Sequence, residues 1–313
     1  MSQTIIHLDS IGGDFSIENS VLKDADAKVI APRENALQAA SQAPIVLFTS
    51  SRIDRVALDQ LGACKVLIRY GIGLDKVDIP EATKRGIAVC NIPDFCIDEM
   101  ADHTLALALG LQKKLFIYRH SDWPKRRGSI QPLRGASFVT IGFGRIARAV
   151  LQRAAVFGCR IAAADPFVAE DEMRAAGVAP LTLEKALAEA DILSLHCPLN
   201  SSTRHIINET SLLKMKRNCT LLNTGRGELV DTVALTRALQ EKVIGGAGLD
   251  VTDPEPLLSD HPLYSLDNVI LTPHVAWYSE ESQKTLRRKV AEEALRALRG
   301  EPLRNQVNRR SEI

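Results

Sequence analysis

Short apolar segments alternate with longer amphipathic segments along the whole chain. In the first hundred residues, several apolar runs have the length and the residue types of β-strands. These runs are Thr4–Leu8, Ala27–Ile30, Pro44–Phe48, Lys65–Ile68 and Ala88–Asn91. The amphipathic stretches Arg52–Leu61 and Ile79–Arg85 lie between them and predict helices.

A second series of strands is predicted in the remainder of the chain. Its members are Ser137–Ile141, Arg160–Ala164, Asp191–His196, Thr220–Asn223, Gly246–Val251 and Asn268–Leu271. The runs of both series are continuously apolar rather than alternating in polarity, which is typical of parallel strands covered by helices on both faces. The repeated order of strand and helix predicts an α/β fold with two doubly wound parallel sheets.

Two longer helical patterns flank the second series of strands. Asp98 to Arg119 predicts one long helix, which ends before Trp123-Pro124. The last helix is expected over Glu281–Arg299 and ends at Gly300. Leucines of the first of these helices lie on more than one face, so we expect it to form the centre of a homodimer; the alternative is a core helix buried within one subunit.

The composition excludes several classes of protein. The 39 Lys and Arg residues nearly balance the 38 Asp and Glu residues, so nucleic acid is not the predicted partner. No apolar run approaches the roughly 20 residues that a membrane-spanning helix needs, and no signal peptide is evident. The six cysteines form no C-x-x-C pair and no ligand spacing with histidine. We therefore expect reduced thiols in a cytoplasmic protein without a metal.

A glycine-rich turn joins the first strand of the second series to a helical pattern. The segment Gly142-Phe143-Gly144-Arg145-Ile146-Ala147 reads G-x-G-x-x-A and precedes the helix predicted over Arg148–Phe157. Gly142 permits a tight turn, Gly144 lets the backbone approach a pyrophosphate, and Ala147 allows close packing of helix on strand. The helix N-terminus adds N–H groups that favour phosphate.

An acidic residue follows at the spacing expected of a dinucleotide site. Asp165 ends the strand Arg160–Ala164, about 20 residues after the glycine turn. Its carboxylate can accept hydrogen bonds from both hydroxyls of a ribose and would repel a 2′-phosphate, so the pattern predicts NAD rather than NADP. The alternative interpretation is a structural turn with Asp165 as a cap.

Three further segments with chemically useful side chains follow strands of the second series. They carry Arg226, Glu255 and His274. Because ligands bind at the carboxyl ends of parallel strands, these side chains are expected to converge on one site. Each alone would be an ordinary turn residue, and only the combination downstream of the glycine motif indicates catalysis.

With these segments, the chain resembles a known family, the D-isomer-specific 2-hydroxyacid dehydrogenases. The matching stretches are Arg69–Asp78, Gly142–Ala147, Asn223–Asp231, Asp250–Pro256 and Thr272–His274. Within the family the chain is most similar to the C-terminal-binding protein branch. The similarity to that branch rests on Cys90–Pro93, His196-Cys197 and His274–Ser279.

The resemblance implies a role for each member of the catalytic triad. Arg226 would hold the substrate carboxylate, and His274 would be the acid that protonates the developing alkoxide. Glu255 would bond the other imidazole nitrogen and fix the orientation of the ring. Asp250 would contact the nicotinamide end of the cofactor.

The resemblance also implies the residues that bind the cofactor and the substrate. The cofactor-binding residues would be Gly142, Phe143, Gly144, Arg145, Ile146, Asp165, His196, Cys197, Pro198, Thr203, Thr224, Gly225, Arg226, Asp250 and His274. The substrate-binding residues would be Arg69, Gly71, Ile72, Gly73 and Trp277. Trp277 would favour an apolar side chain on the substrate, whereas Arg69 could bind a second anionic group, and the sequence leaves this choice open.

The implied architecture is a flavodoxin-like substrate domain and a Rossmann NAD domain with a cleft between them. The substrate domain would comprise residues 1–97 and 279–313, and the NAD domain residues 98–278. The implied activity is hydride transfer between NAD(H) and a small 2-hydroxy or 2-oxo acid. The alternatives are a 3-phosphoglycerate dehydrogenase type of enzyme without its regulatory domain and a non-catalytic, NADH-sensing partner protein.

Overall fold

A computed structural model describes residues 3–10, 13–115 and 130–309 of the chain. It divides the chain into two compact units: unit 1 comprises residues 1–95 and 279–313, and unit 2 comprises residues 96–278. Unit 2 begins at Cys96, the residue just before its first helix. None of the helices in the described ranges has the length and hydrophobicity needed to cross a bilayer.

Unit 1 contains a parallel five-stranded sheet with helices in the intervening connections. The strands, numbered along the chain, are β1 (Gln3–His7), β2 (Ala27–Ile30), β3 (Ile45–Phe48), β4 (Val66–Arg69) and β5 (Ala88–Cys90). The helices are α1 (Ser16–Leu22), α2 (Ala36–Ala39), α3 (Arg55–Gln60), α4 (Ile79–Lys84) and the last helix of the chain, α11 (Glu280–Arg299). The strand order β2-β1-β3-β4-β5 is that of the flavodoxin-like doubly wound fold.

Unit 2 contains a parallel seven-stranded sheet. Its strands are β6 (Ser137–Ile141), β7 (Arg160–Ala164), β8 (Ala179–Pro180), β9 (Ile192–Leu195), β10 (Thr220–Asn223), β11 (Gly246–Leu249) and β12 (Val269–Leu271). Its helices are α5 (Ile97–Gln112), α6 (Arg145–Val156), α7 (Glu170–Ala175), α8 (Leu183–Glu189), α9 (Glu209–Lys214) and α10 (Thr232–Gln240). The order β12-β11-β10-β9-β6-β7-β8 places the reversal of strand order between β6 and β9, as in Rossmann folds.

The expected fold class, two doubly wound parallel sheets, is confirmed. All residues of β3, β6, β9, β10 and β11 are buried, which explains why their sequences do not alternate in polarity. The short edge strand β8 was not predicted from the sequence. It has two residues, one of them a proline, and so lacks any recognisable strand pattern.

Helix α5 is shorter than the sequence indicated. It ends at Gln112, and Lys114 has a left-handed backbone with φ of 54° that stops the helix. The predicted end at Arg119 and the Trp123-Pro124 stop lie outside the described residues. Leu105 and Leu107 are buried within unit 2, where α5 packs on α6 and on the sheet. This packing weakens the sequence argument that α5 needs a second subunit to cover its apolar residues.

Candidate active site

The candidate residues of unit 2 lie in the segments that follow the strands, at the carboxyl edge of the sheet. Trp277 lies three residues after His274 in the chain. The glycine turn follows β6, and Asp165 follows β7. The segments after β9, β10, β11 and β12 begin with His196, Thr224, Asp250 and Thr272. Because all seven strands are parallel, these segments lie at the same edge of the sheet.

The glycine turn after β6 requires glycine at its first position. Gly142 has φ of 97°, and a Cβ there would lie 2.8 Å from the backbone carbonyl of His196. Gly144 differs, since no atom lies within 4 Å of the position that its Cβ would take. Ala147 is completely buried in the packing of α6 against the sheet. The turn is therefore packed against the His196 backbone at Gly142, whereas the space next to Gly144 is open.

Asp165 is bonded to backbone groups on both sides of its carboxylate. Oδ2 accepts a hydrogen bond from the N–H of Phe143 at 2.8 Å, and Oδ1 accepts one from the N–H of Phe167 at 2.9 Å. Each carboxylate oxygen can accept two hydrogen bonds, so both can also receive a ribose hydroxyl. The capping role and the ribose-binding role are therefore compatible.

The segment after β9 holds two groups that are uncharged at neutral pH. Burial lowers the pKa of His196 to about 4, and its Nε2 lies 2.8 Å from the hydroxyl of Ser194. Burial raises the pKa of the Cys197 thiol to about 11. The hydroxyl of Thr203 donates to the carbonyl of Pro198 at 2.6 Å and fixes the loop that follows.

These features fit a bound dinucleotide. Helix α6 begins just after Gly144, and no side chain in the described ranges caps its first N–H groups. A helix N-terminus of this kind attracts the negative charge of a pyrophosphate. Gly144, Arg145 and Ile146 would hold the pyrophosphate, and Asp165 would hold the ribose of the adenosine.

His274 and Glu255 form a hydrogen-bonded pair. Imidazole Nδ1 lies 2.6 Å from Oε1 of Glu255, and the two side chains are 42% and 44% exposed. The hydrogen bond from His274 is the main cause that holds the pKa of Glu255 below its ordinary value of 4.5. Because Glu255 takes Nδ1, the nitrogen that can face a substrate is Nε2.

A buried carboxylate supports the loop that carries His274. Asp250 is only 2% exposed and accepts hydrogen bonds from the N–H groups of Val275 and Ala276, each at 2.9 Å. The N–H of His274 donates to the backbone carbonyl of Asp250 at 2.8 Å. His274 adopts a left-handed φ of 55°, which a residue other than glycine rarely adopts without such support. Asp250 therefore positions His274, a role that the sequence did not indicate.

His103 of helix α5 extends this support and was missed in the sequence. Its Nε2 lies 2.9 Å from the hydroxyl of Thr272, which donates to Asp250 at 2.6 Å. The single hydroxyl proton of Thr272 is directed at the carboxylate, so its oxygen is left to accept from His103. His103 lies more than a hundred residues before its partners, and the only local signal was a polar residue in a largely apolar helix.

The loop after β10 is held close to the loop after β11. The side chain of Asn223 donates to the carbonyl of Arg226 at 2.8 Å and so shapes the turn. A Cβ on Gly227 would lie 1.9 Å from the carbonyl oxygen of Thr252, so only glycine allows the two backbones to approach so closely. A Cβ on Gly225 would meet Leu229 at 3.3 Å, a far smaller conflict. Arg226 is thereby brought near enough to Glu255 to contribute to lowering its pKa.

Trp277 is fixed beside the loop of His274. Its indole N–H donates to the carbonyl of His274 at 3.0 Å. Its ring packs edge-on against Tyr278 with a centroid separation of 5.5 Å. The orientation of the indole is thus coupled to the backbone of the proposed acid.

The candidate substrate residues of unit 1 lie at the end of β4, where Arg69 is the last residue, and in the turn that follows it. Gly71 has φ of 140°, and a Cβ there would lie 2.2 Å from Nη1 of Arg69. The carbonyl of Ile72 accepts a hydrogen bond from the side chain of Asn91 at 2.7 Å. The Arg69 guanidinium therefore folds over a glycine in a turn that is anchored by the end of β5.

A family model described as the NAD binding domain of D-isomer specific 2-hydroxyacid dehydrogenase matches residues 103–276, more than half of the chain. The chain belongs to the D-isomer-specific 2-hydroxyacid dehydrogenase family. The chain is therefore an NAD-dependent dehydrogenase of 2-hydroxy acids, and the cofactor and the oxidoreductase activity expected from the sequence are confirmed.

Several known proteins are similar to this dehydrogenase. A glyoxylate reductase of Korarchaeum cryptofilum is 38% identical over 272 residues, covering 84% of this chain and 82% of the relative. A D-3-phosphoglycerate dehydrogenase of Methanocaldococcus jannaschii is 35% identical over 282 residues, covering 88% of this chain but only 54% of that relative. The crystal structure of a glyoxylate reductase from Paecilomyes thermophila has a TM-score of 0.88 and 27% identity, covering 98% of this chain and 99% of that one.

The family model and the two glyoxylate reductases favour the main functional prediction over its two alternatives, the phosphoglycerate dehydrogenase type and the NADH sensor. The assignment to the C-terminal-binding protein branch stays a prediction. Within the described residues no group of three or more His, Cys, Asp or Glu side chains is placed to hold a metal ion.

Proposed function

We propose that this dehydrogenase reduces small 2-oxo acids with NADH, and catalyses the reverse oxidation, through Arg226, Glu255 and His274. The observation that carries the proposal is the hydrogen bond of 2.6 Å between His274 and Glu255, in loops at the carboxyl edge of a Rossmann sheet. NADH supplies the hydride when it is bound. The residues of the chain bind and orient the oxo acid and move one proton.

Each residue of the triad takes a distinct task. The Arg226 guanidinium pairs with the substrate carboxylate and fixes the direction of the carbonyl group. His274 donates a proton from Nε2 to the carbonyl oxygen as negative charge develops there. Glu255 keeps the imidazole oriented, and its carboxylate stabilises the cationic form of the ring. Asp250, Thr272 and His103 hold the loop that carries His274.

The cofactor would lie along the strand ends of unit 2. Besides the glycine turn and Asp165, the segment His196–Pro198 with Thr203 would bound the adenosine, and Thr224 with Gly225 would contact the nicotinamide side. Support for these contacts comes from the open space above Gly144 and the spare lone pairs of Asp165.

We assign the substrate side chain to the neighbourhood of Trp277 in unit 2, and we keep Gly71–Gly73 as proposed substrate-binding residues of unit 1. The indole, held by its N–H on the carbonyl of His274, supports a small or apolar side chain. If Arg69 bound a second anion instead, a phosphorylated or sulfonated oxo acid would be preferred. Arg69→Ala is expected to raise KM for the true substrate more than it lowers kcat, and an unchanged KM would remove Arg69 from the site.

The testing experiment follows NADH oxidation with a panel of 2-oxo acids. The panel sets glyoxylate, pyruvate, hydroxypyruvate, 4-methylthio-2-oxobutyrate and phenylpyruvate beside sulfopyruvate and 3-phosphohydroxypyruvate. Arg226→Ala is expected to lose activity on every acid of the panel, because all share the carboxylate. Arg204→Ala is the matched control, since Arg204 is an exposed arginine of the same unit paired with Glu228. Equal activity of the two variants would contradict the assignment of Arg226.

We further propose that the enzyme is a cytoplasmic homodimer. The end of helix α6 supports a second subunit, because Val156 is 87% and Phe157 45% exposed. The presence of all six cysteines as free thiols supports a reducing compartment. Light scattering of the wild type should give about twice the chain mass of 34.2 kDa. The Val156→Asp variant should give the mass of a single chain. Fractionation of cells should recover the enzyme with cytoplasmic markers.

A further inference from the structure

Arg148 and Asp165, the carboxylate that is proposed to bind the ribose, both contact Phe143. The N–H of Phe143 donates to Asp165, and its carbonyl accepts a hydrogen bond from Nε of Arg148 at 3.2 Å. The Arg148 guanidinium also lies over the Phe143 ring, 4.0 Å from the centroid. Phe143 therefore links the Arg148 guanidinium to the Asp165 carboxylate, by one hydrogen bond on each side.

This arginine is held by a glutamate of the next helix. Nη2 of Arg148 lies 2.5 Å from Oε1 of Glu172 in α7, and the two side chains are 34% and 57% exposed. An ion pair with that exposure contributes little to stability, because water screens it. The pair can accordingly be broken by substitution without loss of the fold.

We propose that Glu172 is a second determinant of NAD selectivity, because it neutralises and holds the arginine that a 2′-phosphate would need. The inference rests on the proposed placement of Asp165 at the ribose. Asp165 repels the 2′-phosphate directly, and Glu172 keeps Arg148 from attracting it. Removal of Asp165 alone would remove the direct repulsion but would leave Arg148 paired with Glu172.

The chain provides a matched control on the same helix. Arg174 pairs with Glu170 of α7 at 2.5 Å and also with Asp171 at 3.2 Å. Glu170→Gln removes the same charge from the same helix as Glu172→Gln, but it releases no side chain that contacts Phe143. The two substitutions thus separate a general change in charge from the release of Arg148.

The experiment measures binding of 2′,5′-ADP by calorimetry, together with kcat/KM for NADPH and NADH. The variants are Asp165→Ser, Asp165→Ser with Glu172→Gln, and Asp165→Ser with Glu170→Gln. Adding Glu172→Gln to Asp165→Ser is expected to tighten 2′,5′-ADP binding about tenfold, since the freed guanidinium forms charge-assisted hydrogen bonds with the phosphate. The Glu170→Gln combination is expected to change it less than about twofold. Adding Arg148→Met to the Glu172 combination should abolish the gain.

Equal gains from Glu172→Gln and Glu170→Gln, or a gain that survives Arg148→Met, would overturn the proposal. Turnover of NADH by the wild-type enzyme in the same assays shows separately whether the proposed function holds. If Asp165→Ser leaves NADH affinity unchanged, the placement of the ribose is wrong and the inference falls with it, while the assignment of the triad stands.

Discussion

Two glutamates of this dehydrogenase each pair with a basic side chain, in opposite surroundings. In unit 1, Glu18 is 1% exposed and accepts two hydrogen bonds from Arg287, at 2.8 and 2.7 Å, and one from the Tyr70 hydroxyl at 3.0 Å. In unit 2, Glu255 is nearly half exposed and holds His274 by a single bond. The buried cluster uses the charge of Glu18 to hold elements together, whereas the exposed pair leaves His274, the proposed acid, accessible.

The difference shows that burial decides what a charge pair can do. Glu18 joins helix α1, the end of β4 and helix α11, and burial raises the pKa of Tyr70, so its hydroxyl remains a donor to Glu18. Arg287 also donates to the carbonyl of Asp14, which leaves the guanidinium anchored on two sides. In the proposed mechanism, in contrast, His274 gains and loses a proton in each turnover, which requires contact with substrate and water.

The largest expected effect is on catalysis by the exposed pair. His274→Ala should lower kcat about a hundredfold to ten-thousandfold, because the developing alkoxide loses its proton donor. Stopped-flow and steady-state assays with NADH measure the loss, and the thermal unfolding midpoint of the variant should stay within a few degrees of the wild type. Near wild-type turnover would remove His274 from the mechanism.

The second effect is on stability and concerns the buried cluster. Glu18→Gln should lower the free energy of unfolding by about 1.5–3 kcal/mol, because the buried carboxylate that accepts both hydrogen bonds from the partly exposed Arg287 loses its charge. Glu255→Gln, the matched change at the exposed pair, should lower it by less than about 1 kcal/mol. Urea titrations of the two variants measure both values. A larger loss of stability for Glu255→Gln than for Glu18→Gln would contradict the comparison between the buried and the exposed pair.

A smaller effect is expected when the Tyr70 hydroxyl is removed. Tyr70→Phe should cost about 1 kcal/mol of stability, because Glu18 keeps both bonds from Arg287. Tyr70 stands between Arg69 and Gly71, so the variant should also raise KM for the oxo acid while kcat is retained. A fall in kcat with unchanged KM would mean that the cluster does not position the substrate turn.

The smallest effect is the dependence of stability on the titration of Glu255. Its pKa lies below the ordinary value of 4.5 because of the hydrogen bond from His274, so the folded state favours the ionised form. The resulting stabilisation is present above that ordinary value and is lost as the pH falls through the lowered one. The difference in unfolding midpoint between the wild type and Glu255→Gln should therefore shrink below about pH 4.5. A difference that grows in acid would contradict this sign.

Local signals in the sequence predicted most of the fold. The strands β2, β6, β7 and β10 have the predicted bounds, because each is a short apolar run between clear turn or helix signals. Helix α11 begins one residue early and ends as expected, since Ser279 caps its start and Gly300 adopts φ of 68° at its end. The end of α5 was wrong, because its stop depends on the backbone of Lys114 rather than on a glycine or proline.

The contacts that the sequence missed, in the site and in the cluster around Glu18, join residues that are distant along the chain. Glu18 and Arg287 meet although 269 positions separate them, and His103 reaches Thr272 across 169 positions. Neither spacing carries a periodic signal, so no pattern along the chain could indicate them. The positions of Arg226, Glu255 and His274, in contrast, were recognisable because each follows a strand that the sequence itself indicated. Their catalytic roles are implied by the family resemblance and stay a prediction.

The close approach of Gly227 to Thr252 has a consequence for engineering. Since the two backbones leave no room for a Cβ, the loop after β10 and the loop after β11 form one unit for recombination. A chimera that takes residues 224–227 from another family member but keeps residues 250–256 would combine backbones that have not been fitted to each other. Substrate preference in this scaffold is therefore best redesigned by exchanging both loops together. The alternative is to keep both backbones and change only side chains of the two loops.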